Sequence, residues 1–105
     1  ATGREVAARN TLAFVAEARP VPHALLVGVA NLSLLSAQRY TQALRSRLAQ
    51  IEARITAVRA AQAVQQAQAP LPLAAREVFS YSLSLMEAER QWLASRVQVP
   101  GDEQD

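Results

Sequence analysis

The sequence holds no cysteine and no lysine, one histidine and three glycines, and only 5% of its residues are aromatic. Without cysteine there is no disulfide framework, no thiolate metal site and no cysteine nucleophile. The one histidine, His23, is too few for a zinc site. No glycine-rich phosphate loop occurs and no serine sits in a nucleophile elbow, so no catalytic residue, metal ligand or cofactor is assigned and no enzyme is expected. Glu87 and Glu89 are two residues apart, which on a helix turns them away from each other and makes them a poor acid–base pair. No apolar run reaches the ~18 residues of a membrane span. The start lacks the basic-then-apolar order of a signal peptide, which leaves a cytoplasmic location as the expectation. Few glycines, few aromatics and few β-branched runs also argue against a β-sandwich or barrel.

What is there is helix-forming. The 105 residues, 11.4 kDa, suffice for one domain with a modest core. Half are apolar, but alanine contributes 22 of these, leaving 31 larger side chains, mostly Leu and Val. Ala, Leu, Arg and Gln dominate, and all four favour helix. All eleven basic residues are arginine, spread from Arg4 to Arg96. That spread is not the one-sided basic face of a nucleic-acid reader. Three of the nine acids, Asp102, Glu103 and Asp105, crowd the end of the chain. Residues 1–99 are therefore read as one helical domain and 100–105 as an acidic tail.

Prolines punctuate four segments. The first is expected from Gly3 to Ala18, opened by Thr2-Gly3-Arg4-Glu5, which fits the capping box in which Thr2 and Glu5 satisfy each other's backbone donors. After Pro20 and Pro22, residues 23–35 are apolar nearly all round, as in a short helix buried on several sides. Gly28 within it would let another helix or a ligand come close. His23, at its start, reads as a structural or surface residue. The third segment runs from Ala37 to Ala69 with Ser36 as N-cap. Its Leu44, Leu48, Ile51, Ile55 and Val58 step by four and three, a heptad-like stripe. Glu52, Arg45, Arg47, Arg54 and Arg59 read as its surface charge. After Pro70 and Pro72 the fourth segment spans Leu73 to Gln98. It carries two stripes: Val78, Tyr81, Leu85, Ala88, Trp92, and Phe79, Leu83, Met86, Leu93, Val97.

Residues 37–69 as one helix would be ~50 Å long, against roughly 35 Å for the diameter of a domain of this size. Such a helix would project and leave its stripe in water. A long exposed apolar stripe is a partner site, and a second copy is the simplest partner. The expectation is an all-α, four-helix chain that forms a dimeric bundle through Leu44, Leu48, Ile51, Ile55, Val78, Leu85, Trp92 and Leu93. The other reading is a hairpin of the third and fourth segments that buries the stripes internally. Trp92 is either a packing anchor or, with Tyr81 and Gly28, the lining of a pocket for a small aromatic effector.

Three patches resemble the PadR family of bacterial transcriptional regulators. Thr2-Gly3-Arg4-Glu5 looks like the end of that family's T-x-x-G-R turn. Leu34-Leu35-Ser36, then Leu44 and Arg47-Leu48, are similar to the stretch that leads into its long helix. Ala88-Glu89-Arg90-Gln91-Trp92-Leu93 resembles the end of its terminal helix. The resemblance covers most of residues 2–97 and lacks the winged helix. It implies a homodimerisation domain, with an effector pocket in some members, and DNA contact only through an N-terminal winged-helix domain that this stretch does not contain. From a different class comes the alternative, a freestanding helical adaptor that binds another protein through the same stripes and has no link to transcription.

Overall fold

A computed structural model describes residues 2–18 and 23–97. Pro20, Pro22, Pro100-Gly101 and the acidic tail lie outside the described residues. Those described form α1 (Gly3–Ala16), α2 (Ala24–Ala30), a 3₁₀ turn (Leu32–Leu34), α3 (Ala37–Gln68) and α4 (Leu73–Val97), with no strand among them. The all-α expectation, with two long helices, holds. The chain groups into two units, Ala1–Leu32 and Ser33–Asp105.

Local chemistry sets the helix ends. At α1 both halves of the capping box form: the Glu5 N–H donates to Thr2 Oγ1 at 3.2 Å, and the Thr2 N–H donates to Glu5 Oε2 at 3.2 Å. At α2 the cap is His23, whose Nδ1 accepts from the Leu25 N–H at 3.1 Å. At α3 it is Ser36, whose Oγ accepts from the Arg39 N–H at 3.2 Å. Ala69, which ends α3, is extended at φ −166° and ψ 156°, as a residue before proline is driven to be.

The second segment is shorter than its composition suggested. α2 stops at Ala30 because Asn31 takes over the backbone: its Nδ2 donates to the Val27 carbonyl at 2.9 Å and its N–H to the Gly28 carbonyl at 3.1 Å. Side chains of this kind compete with the helical ladder. Burial is also less than expected, since no residue of α2 is buried and Leu26 and Val27 are exposed. α1 has no buried residue either, and Phe14 is 84% exposed. A methyl group built at Gly28 would meet nothing within 4 Å, so nothing in its own unit requires glycine there.

The second unit is a hairpin. The link Ala69-Pro70-Leu71-Pro72 is too short for anything but an antiparallel return, and α4 packs back along α3. Leu44 and Ile55 of α3 are buried in the chain, with Leu48 and Ile51 half-buried between them and Val58 half-buried one turn beyond Ile55. From α4 come Leu93, fully buried at 0% exposure, Val97, and half-buried Phe79, Leu83 and Met86. Within one chain α4 covers the α3 stripe in part, as the hairpin reading has it. α4 has 25 residues, a rise of ~37 Å, which reaches back from the link to the level of Leu44, where the stripe begins. Leu44, Ile55 and Leu93 thus bury their side chains within one chain, and Leu48 and Ile51 do so in part.

Leu93→Ala should cost about 2–5 kcal/mol, because Leu93 is fully buried and its truncation loses that burial and leaves a cavity that the neighbours fill only in part. Urea unfolding at fixed protein concentration would measure it. Ser36→Ala, which removes only a cap, should cost about 1 kcal/mol in the same assay.

Candidate association surface

With the seam filled, three features of the hairpin remain to be placed: two ion-pair clusters and one open stripe. Arg47 of α3 grips Glu89 of α4 as a fork, Nε to Oε2 at 2.9 Å and Nη2 to Oε1 at 3.0 Å. The pair is partly withdrawn from water, and this hydrogen bonding raises the Arg47 pKa above its ordinary value. Glu87, two residues earlier, accepts from Arg90 Nε at 2.8 Å on its own helix and from Arg59 Nη2 at 3.1 Å on α3. The Arg90 hydrogen bond, with the nearby charges of Arg90 and Arg59, holds the Glu87 carboxyl below its ordinary range against the opposing effect of partial burial.

Arg47 and Arg59 are therefore not mere surface charge of α3; each ties α3 to α4. A sequence signal existed. Both flank the Leu44–Val58 stripe, in the manner of residues beside a coiled-coil seam, and α4 offers carboxylates at flanking positions of its own. Glu87 and Glu89 leave α4 in different directions and meet different arginines, so the spacing that disqualifies them as an acid–base pair suits them to fasten two edges of a hairpin.

The stripe left open is Val78, Tyr81 and Leu85, exposed at 65%, 68% and 54%, followed by exposed Ala88 and half-buried Trp92. The Arg96 guanidinium lies over the Trp92 ring, 5.1 Å from its centroid, a cation–π contact one turn further on. Of the residues expected at a dimer interface, Val78, Leu85 and Trp92 lie on this open stripe, and the other five lie in or beside the α3–α4 seam. The expected effector pocket divides differently. Gly28 belongs to the first unit, while Tyr81 and Trp92 belong to the second. Eleven residues apart on one helix, Tyr81 and Trp92 share a face and stand ~16 Å apart along its axis.

Among the described residues no group of three His, Asp or Glu side chains is placed to hold a metal ion, and no helix is long and apolar enough to cross a membrane. Compared with family models, curated proteins and solved structures, the chain matches none.

The lowered Glu87 pKa fixes the sign of a pH effect. As pH falls towards ~4.3, unfolded chains take up a proton at residue 87 while folded chains still hold the carboxylate, so stability drops. The drop is complete once the folded carboxyl is protonated too. Thermal unfolding of the parent and of Glu87→Gln should therefore differ above about pH 5 and converge as the pH falls below the ordinary carboxylate range. A gap that persists unchanged into acid would assign the difference to something other than this ionisation.

Proposed function

We propose that this chain is a non-catalytic association domain that joins two copies of a PadR-like transcriptional regulator. Its task would be to hold two winged-helix DNA-reading domains, not part of this stretch, at the spacing that a twofold operator requires. On this reading the protein works in the bacterial cytoplasm.

The observation that carries the reading is the amount of apolar side chain without cover in a chain whose helix ends are well formed. Leu12, Phe14 and Val15 on α1, Leu26 and Val27 on α2, and Val78, Tyr81 and Leu85 on α4 are all more than half exposed. Helices as short as α1 and α2 are marginal alone and normally draw their stability from packing. A chain that spends its polar chemistry on caps and two interhelical ion-pair clusters, and leaves this much apolar surface outside, is suited to bind protein rather than to transform a substrate. The resemblance of Leu34-Leu35-Ser36, Arg47-Leu48 and Ala88–Leu93 to the PadR pattern supplies the transcriptional context.

Sedimentation equilibrium at micromolar concentration should give about twice the 11.4 kDa chain mass. The same chain should shift operator DNA only weakly and in a salt-sensitive way, since its arginines are scattered or tied to Glu87 and Glu89. A helical monomer would refute the association role. Tight, sequence-selective DNA binding at physiological salt would refute the division of labour.

A further inference from the structure

We infer that the acidic stretch of this chain, residues 98–105, docks on the open end of the α3–α4 hairpin and screens the arginines gathered there. The inference stands apart from the association role proposed above, because the contact lies within one chain.

Charge is uneven along the hairpin. The end away from the link carries Arg39, Arg45, Arg47 and Arg96 against Glu89 alone, four guanidiniums and one carboxylate, net +3. The rest, with Arg90 held on Glu87, sets four arginines against three glutamates. Arg39, Arg45 and Arg96 are exposed, and among the described residues no carboxylate pairs with Arg39 or Arg45. Guanidiniums gathered at one end repel one another and attract an anion.

Reach selects that end for the acidic stretch. α3 and α4 run antiparallel from one link, so Val97 is level with Leu44. Val97 is buried, and the chain therefore leaves α4 from a fixed point within about a turn of Arg45 and Arg47. Arg39 lies ~7.5 Å further along α3, and the axes of packed helices stand roughly 8–10 Å apart. From Val97 to Asp102 is up to ~17 Å of extended chain, and to Asp105 up to ~27 Å. Asp102, Glu103 and Asp105 can all reach these arginines, whereas the link, ~37 Å back along α4, is out of range. Pro100-Gly101, a turn signal, comes before the first acid, where the chain has to change direction.

Three carboxylates answer a net charge of +3. The phosphates of a nucleic acid would suit the same arginines, but the tethered acids act at an effective concentration of order millimolar and a free polyanion has to displace them. The acidic stretch thus keeps this end of the hairpin from holding polyanions.

The chain has no cysteine, so Gln104→Cys gives a single site for a nitroxide. At low salt the label should broaden the amides of residues 37–47 and spare those of residues 60–68 in NMR spectra. Asp102→Asn/Glu103→Gln/Asp105→Asn with the same label, or Arg39→Gln/Arg45→Gln, should cut the broadening by about half or more, as should high salt. Helicity should be unchanged, since Arg39 and Arg45 are exposed. The neutralised acidic stretch should also let the unlabelled chain bind mixed-sequence duplex DNA about 10-fold tighter at about 50 mM salt, a gain lost again with Arg39→Gln/Arg45→Gln. Equal broadening with and without the three acids would reduce the effect to tethering and overturn the docking. Broadening found only between spin-labelled and isotope-labelled chains in a mixture would move the acids to another copy and overturn the contact within one chain. Unchanged DNA binding would overturn the screening.

Discussion

The antiparallel seam between α3 and α4 is the contact on which the second unit depends. Two helices of 32 and 25 residues lie together because each carries an apolar stripe at heptad spacing, and because the prolines of a four-residue link leave the chain no course but to turn back. The length of α4 decides how much of α3 is covered, and the stripe on α3 begins at Leu44, where that cover ends. Burial is deepest at Leu93, far from the link. The helix ends are thus held by packing as well as by connection.

The ion pairs complete the seam. An apolar stripe alone tolerates sliding by a heptad, since one step of the repeat presents similar side chains. Arg47 with Glu89 and Arg59 with Glu87 cross from α3 to α4, and a slip by a heptad would part both, whereas Arg90 meets Glu87 on its own helix in any register. Such pairs add little stability where water reaches them. Their value lies in making the wrong registers worse, which is also how charged flanks select partners in coiled coils.

A helix with one stripe spent inside the chain and another left outside divides its duties cleanly. The inner stripe makes the hairpin a unit, and Val78, Tyr81 and Leu85 of the outer stripe stay exposed. The polar groups that sequence inspection raises for chemistry, His23, Glu87 and Glu89, are occupied as a helix cap and as ion-pair partners.

Reading the residues alone was enough for the elements. The Thr2/Glu5 box, the Ser36 cap, the Pro70/Pro72 break and the helix-forming composition are local features, and each acts within a turn or two of itself. Three- and four-residue spacing likewise revealed that α4 carries two stripes. Which stripe faces inward could not be read from spacing, because both repeat with the same period and are similar in size. That choice depends on where α4 meets α3, a contact between residues far apart in the chain. The same holds for Arg47 and Arg59, which look like solvated charge until a carboxylate 42 or 28 positions away comes within 3.1 Å. It holds too for the apolar run after His23, whose helix gives way at Asn31 and buries none of its residues. An apolar run states only that burial would be favourable. Whether a surface is there to bury it against is decided by the rest of the molecule.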